Sequence, residues 1–372
     1  MKTKQTQVWK AVCAAVVLSL LAAACAGDDA GTADGDGTDT TREVELSQSS
    51  DRLQAVLDAG VVKCGTRDAL PGFAVLGEDG EYTGFDSDFC RAIAAAVLGD
   101  AEAVDMVPLE TADRFTALQS GEIDVLVRNT TWTATRDGSE AASFAATTLY
   151  DGQTMMVKED SGFGSMEDMD NTTICLVEGT TTQLNLTGEY ERRDITLTEA
   201  LSFADTDLVQ EAFVADRCDG WTSDATQLLS LRSTYPESEG GPEALVIFDD
   251  VFSKEPLGPA VSDGDTGWFD AVNWAIFATI QAEEFGITSA NVDDFLDSDN
   301  PDIRRFLGQP EEEGGAEPDP GLGLPADFAY QVISQVGNYA EIFEEHLTPL
   351  GLERGINALW TDGGILYAPP YR

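Results

Sequence analysis

The chain has 372 residues, 42% of them hydrophobic, and its 68 acidic against 21 basic side chains give a formal net charge of −47. That is enough chain and apolar content for two cored lobes, while the charge excludes nucleic acid and a polybasic membrane-surface mode, both of which need a basic face. A single histidine, His346, excludes a His-rich metal site, and no G-x-S-x-G nucleophile motif accompanies it, so no metal, no cofactor and no catalytic residue is expected.

The first ten residues, "MKTKQTQVWK", are basic, and "AVCAAVVLSLLAAAC" is apolar up to Cys25. The run is too short to span a bilayer comfortably and has the flanks of an export signal. Ala22, Ala23 and Ala24 lead directly into Cys25, which resembles a bacterial lipobox. The resemblance implies a signal peptide over residues 1–24, lipidation of Cys25 and a location outside the cytoplasmic membrane. The membrane would be met through that lipid anchor only. Residues 25–50, rich in Gly, Asp and Thr, read as an acidic flexible tether.

From residue 51 the pattern is α/β. "VVKCGT", "VDMVPL" and "IDVLVRN" read as strands, separated by helical stretches in "FDSDFCRAIAAAVLG" and in "ADRFTALQSG", where Gly121 stops the helix. Alternating strands and helices predict a mainly parallel sheet. The alternation restarts after residue 150. "QTMMVK" reads as a strand, "TTICLVEGTTTQLNL" as strand, turn and helix, "DLVQEAFVADRCDGWTSDATQLLSL" as helix, short strand and helix, and "ALVIFDD" as a strand. "LGPAV" then returns the chain to the first unit, and "WFDAVNWAIFATIQAEEFG" reads as a long amphipathic helix.

The second α/β lobe, residues 153–254, is therefore inserted in the first, residues 51–152 and 255–372. Two hinge crossings are expected near residues 150–154 and 250–257, with a ligand cleft between the lobes. "PEEEGGAEPDPGLGLP" reads as a surface loop, and His346 as an exposed or capping residue on a C-terminal helix. Four cysteines remain beyond Cys25, an even number in an exported chain, which favours disulfides. Cys64–Cys90 and Cys175–Cys218 keep each bridge inside one lobe.

Ligands gather at the carboxyl ends of strands in α/β lobes. There, "RNTTWTATRD" supplies Thr131 and Arg136, "GTTT" opens a helix at Thr181, and "CDGWTSD" ends on Asp224. An amino-acid zwitterion needs a carboxylate clamp and an ammonium acceptor. Arg136 with the Thr131 hydroxyl suits the first, and Asp224 suits the second. Arg128 either pairs with a structural acid or meets an acidic ligand side chain.

These motifs, with "GTRDALPGF", "SKEPLGPAV", "AEEFGIT", "VGNYAEIFEEHL", "ERGINALW" and "GGILYAPPYR", resemble the amino-acid-binding proteins of bacterial ABC transporters, solute-binding protein family 3, general L-amino acid subgroup. The resemblance spans roughly residues 51–372. It implies a two-lobed periplasmic-binding-protein (Venus-flytrap) fold, capture of L-amino acids without chemistry, and delivery to an ABC permease and its ATPase. A sensor domain for a receptor and a dehydratase-type enzyme on the same fold are the alternatives. It puts the ligand carboxylate on Arg136, Thr131 and the backbone at Asn129, with Thr181 from the second lobe and the ammonium on Asp224. Leu70 falls at a stacking position, with Phe73 or Trp132 as the alternative wall. "TRDAL" departs from the subgroup, so Arg67 is expected to bear on side-chain preference.

Overall fold

The computed structural model describes residues 50–310 and 314–371. The expected signal peptide, Cys25 and the tether up to residue 49 lie outside the described residues.

Two five-stranded sheets organise the chain. The first runs in the order Val104–Pro108, Val62–Thr66, Val125–Leu126, Ala260–Ser262, Ala142–Phe144. The second runs Leu197–Phe203, Thr172–Val177, Gly220–Asp224, Gln153–Lys158, Leu245–Ile247. Neither is wholly parallel. Ala260–Ser262 is antiparallel to both its neighbours in the first sheet, and Gln153–Lys158 to both its neighbours in the second. Each reversed strand is the one that receives the chain directly after a crossing. A chain arriving from the side of the strands' carboxyl ends has to run against them.

The crossings form a structure of their own. Leu149–Asp151 and Glu255–Leu257 pair antiparallel, with Glu255 opposite Asp151 and Leu257 opposite Leu149. The Asn357 side chain brackets this ribbon. It accepts from Tyr150 N at 2.7 Å and donates to Tyr150 O at 2.9 Å. Tyr339 donates its hydroxyl to Thr148 O at 2.7 Å.

The helix Phe85–Leu98 has an unbroken buried run from Phe89 to Val97 apart from half-buried Arg91. Small alanines let it sit between the first sheet and the C-terminal helices Phe328–Gln335 and Tyr339–His346. The helix Thr266–Phe285 is not one-faced as its sequence suggests. Residues Ala278 to Ala282 are buried in succession, because those C-terminal helices cover the side turned away from the sheet. In the segment expected as a surface loop, Leu324 is buried and Leu322 packs on the main core. His346, half-buried, lies 2.6 Å from Asp88 and ties the last long helix to Phe85–Leu98.

Cys64 is joined to Cys90, linking strand Val62–Thr66 to helix Phe85–Leu98, and Cys175 to Cys218, linking Thr172–Val177 to the turn before Gly220–Asp224. Each bridge stays within one sheet and its helices.

Gly84 starts the helix Phe85–Leu98 at φ 131°, and a Cβ there would lie 2.2 Å from the Phe73 carbonyl oxygen. Phe85 N and Asp86 N bond to Gly72 O and Phe73 O, so the loop that leads to the cleft is fastened at this point. Gly84→Ala is expected to cost about 2–4 kcal/mol of unfolding free energy, read by urea denaturation. A loss below about 0.5 kcal/mol would show that the contact relaxes.

Candidate functional site: a charged cleft between the two sheets

The loops at the carboxyl ends of both sets of strands meet around one cavity. Its cavity volume is about 30 Å³, and it is lined by Arg67, Thr111, Arg114, Asn129, Thr131 and Arg136 from one side, and by Thr180, Thr181, Thr182, Ser223, Asp224 and Gln227 from the other.

Arg136 sits in the short helix Ala134–Ser139, whose N-cap Thr133 accepts from Arg136 N at 3.2 Å. Its Nη1 donates to Thr131 O at 2.5 Å, and its guanidinium stands 5.5 Å from the Phe115 ring centroid. Asp224 ends its strand and occupies the N-cap position of Ala225–Ser233, yet its carboxylate makes no cap bond. It is 5% exposed, and Oδ1 is buried with no hydrogen-bond partner among the described residues. The helix Thr181–Arg193 is capped by Thr180, which accepts from Gln183 N. Thr180, Thr181 and Thr182 at this helix start line the cavity, where a helix start favours an anion.

Several contacts close the two sides together. Arg67 Nη1 reaches Thr206 Oγ1 at 3.3 Å, and Arg114 Nη2 reaches Gly179 O at 3.4 Å. Thr131 and Thr181 hydroxyls lie 3.4 Å apart, and Asn129 Nδ2 donates to Gln227 Oε1 at 3.1 Å. Ser230 Oγ donates to Pro71 O at 2.7 Å.

Thr131, Arg136, Thr181 and Asp224 therefore share one cavity, and four expectations from the sequence are corrected. The Asn129 N–H is committed to Asp86 Oδ2 at 2.7 Å, so its side chain rather than its backbone faces the cleft. Leu70 and Phe73 are 0% and 1% exposed in the main core, beneath the cavity rather than in its lining. Trp132 is 43% exposed, stacks on Phe144 and donates to Asp137. Of the apolar wall read from the sequence, Leu70 and Phe73 belong to the main core and Trp132 lies exposed against Phe144. Arg114, Thr111 and Gln227 were not foreseen. Each sits on or beside a helix where polar residues usually face solvent, so their spacing carries no signal of a cleft.

Burial dominates the electrostatics. It pushes the Asp224 carboxyl well above the ordinary range, with Asp151 and Glu255 adding to the rise and Arg136 and Arg67 opposing it. Burial likewise raises Asp86 to about 7, against the Asn129 N–H, Arg67 and Arg128. Arg67, Arg114, Arg128 and Arg136 are all lowered by burial first. Among the described residues, none of these four guanidiniums has a carboxylate within ion-pair distance. Such a cavity holds fixed charges of both signs, poorly solvated and poorly paired, and suits a ligand carrying both. Asp88, Glu345 and His346, the metal-competent cluster found among the described residues, lies outside this lining.

Comparison with known proteins agrees with this architecture. A curated relative in Rhizobium johnstonii, the general L-amino acid-binding periplasmic protein AapJ, is 46% identical over 327 residues, 87% of this chain and 94% of its own. The glutamate/glutamine/aspartate/asparagine-binding protein BztA of Rhodobacter capsulatus is 45% identical over 328 residues, 87% of this chain and 94% of its own. Among solved structures, an ABC transporter periplasmic binding protein from Brucella ovis with glutathione bound superposes with a TM-score of 0.81 at 40% identity, covering 87% of this chain and all of that one. The fold is thus the two-lobed periplasmic-binding-protein fold. The model of bacterial extracellular solute-binding proteins, family 3, matches residues 62–289, and the chain belongs to that family.

Proposed function

We propose that this protein captures L-amino acids, polar ones or a broad range, in the cleft between its lobes and hands them to an ABC permease with its ATPase. The observation that carries the reading is Asp224, a buried carboxylate with an unpartnered oxygen in the same cavity as Arg136. An α-ammonium would satisfy the first group and an α-carboxylate the second. Thr131 and the start of helix Thr181–Arg193 would complete the carboxylate clamp, with Asn129 bracing it through Gln227.

The names of the relatives support the same ligand class. Glutathione, the molecule in the Brucella ovis structure, presents the same zwitterion at its γ-glutamyl end, so ligands longer than one amino acid fit the reading. Micromolar capture needs roughly 8 kcal/mol, which a clamp of several charge-assisted bonds at about 1.5–3 kcal/mol each supplies. The role is binding without chemistry, because the ligand itself takes up both charged groups. Residues 51–152 with 255–372 form one lobe in this reading and 153–254 the other. Lipid on Cys25 and the tether after it would hold the protein at the outer face of the membrane.

Asp224→Asn is expected to lower amino-acid affinity by at least about 100-fold, as loss of a buried charge-assisted partner does. The unliganded variant keeps its fold. Because the folded-state pKa of Asp224 is raised, the wild type binds more protons folded than unfolded, and its stability falls as pH rises above the ordinary carboxylate range. The variant lacks that fall, so it equals the wild type near pH 4 and exceeds it near pH 7. Calorimetry and chemical denaturation measure both, and undiminished affinity would sink the assignment.

Ligand binding should also release protons. The ammonium requires an ionised Asp224, whereas the empty cavity favours the protonated form. Affinity then rises with pH, by up to about tenfold per unit while Asp224 titrates. Titrations in buffers of different ionisation enthalpy would show up to about one proton released per ligand. Proton uptake on binding would contradict it.

A further inference from the structure

Beyond the amino-acid clamp, the cleft continues into a second space. Arg67 and Thr111 line the clamp cavity and also an adjoining vestibule, bounded further by Arg128, Leu109 and Thr206. Arg67 lies at the junction. Its Nε donates to Asn129 Oδ1 at 2.9 Å, and its Nη1 reaches Thr206 Oγ1 across the cleft at 3.3 Å. Arg128 forms the floor. It is 3% exposed, donates from Nε to Leu109 O at 2.8 Å and from Nη2 to Thr111 Oγ1 at 3.2 Å, and its Nη1 is buried without a partner among the described residues. Neither guanidinium has a carboxylate within ion-pair distance among the described residues.

One α-carboxylate cannot answer all this charge. Arg67 and Arg128 have Asp86 as their buried acid, whereas Asp151, Glu255 and Asp224 cluster toward Arg136, where an α-ammonium would take Asp224. A buried cation left unpaired is costly, and a second anion on the ligand offsets that cost. The vestibule also borders Asp68, Glu110, Asp205 and Asp207. Asp68, Glu110 and Asp207 are exposed, where water screens them. Asp205 is half-buried and accepts from Leu208 N as a helix cap. Arg67 is half-buried like Asp205, and Arg128 is the fully buried charge of the vestibule.

We propose that Arg67 and Arg128 form a second anion subsite, so that the preferred ligand carries a carboxylate beyond its amino-acid head. Arg67 contacts that carboxylate directly and, through Thr206, couples its recognition to closure. Arg128 supplies charge from below. The inference rests on the head clamp read from Asp224 and Arg136. The second carboxylate can belong to the side chain of a dicarboxylic amino acid or to the far end of a γ-glutamyl dipeptide.

The test is calorimetry on the untethered domain, residues 50–372, unfolded and refolded to strip any carried ligand. L-glutamate, L-glutamine, L-arginine and γ-L-glutamylglycine are titrated into the wild type, Arg67→Gln and Arg67→Lys. Wild type should prefer L-glutamate or γ-L-glutamylglycine over L-glutamine by at least about tenfold, and the tighter of the two identifies the source. Arg67→Gln, which also loses the closing contact to Thr206, should lower affinity for that ligand at least about tenfold more than affinity for L-glutamine. Arg67→Lys, which keeps the charge but not the fork, should restore part of the preference. Circular dichroism and thermal unfolding establish that both variants fold, and Arg67→Lys carries the comparison if Arg67→Gln does not. Equal or tighter binding of L-glutamine or L-arginine by the wild type overturns the subsite and leaves the head clamp standing. Equal losses for L-glutamate and L-glutamine in Arg67→Gln overturn Arg67 as a selective contact. If no ligand binds the folded wild type, the clamp fails and the subsite with it.

Discussion

The antiparallel ribbon of Leu149–Asp151 and Glu255–Leu257 is the constraint from which the rest follows. Two crossings paired to each other make one link between the two sheets. The ribbon also decides strand direction, since each crossing feeds the reversed strand of the sheet it enters. It places two acids beside the cleft as well. Asp151 accepts from Gly152 N, Thr226 N and the Thr226 hydroxyl, and Glu255 from Ser253 Oγ and Asn185 Nδ2. Both raise the proton affinity of Asp224. The hinge and the proposed ammonium acceptor are thus one electrostatic unit.

The same economy appears on the C-terminal side. Asn357 and Tyr339 bind the hinge strand through its backbone, and Arg354 lies over the rings of Tyr339 and Phe343 while pairing with Glu283. Tyr339, Phe343, Arg354 and Asn357 follow the segment matched by the family model, which ends at residue 289, and Glu283 lies within it. The C-terminal extension therefore acts as a brace on the crossings and not as a separate layer.

Much of the fold was legible because its central strands are buried on both faces and read as short apolar runs, as in Val62–Thr66 and Thr172–Val177. Leu197–Phe203 gave no such signal. It is an edge strand with no fully buried residue, so its sequence alternates weakly. The short strands Ala142–Phe144 and Leu149–Asp151 are set by their partners in the sheet and ribbon, which no local pattern reveals. For the cleft, charged residues at strand ends were readable, because a charge next to an apolar run needs a reason. Arg114 lacked that context. Leu70 and Phe73 misled because an apolar residue near a cleft serves as wall or as core with the same sequence. Only packing distinguishes the two, and here packing puts both in the core.

The contacts that close the cleft are few, and three of them are 3.3–3.4 Å long. Bonds of that length between partly solvated groups each contribute little. Against them stand desolvated ionisable groups, with Arg67 and Arg136 lowering the proton affinity of Arg114, and Asp151 and Glu255 raising that of Asp224. Closure without a ligand is therefore opposed by the same groups that a zwitterion would satisfy. A ligand that bridges the sheets changes sign for both terms at once, by pairing the charges and by adding bonds that exist only when the cleft is shut. This is differential affinity for one conformation, the requirement for a ligand to shift a population. On the proposed reading, the poorly paired arginines and the orphaned Asp224 oxygen would be the source of that difference.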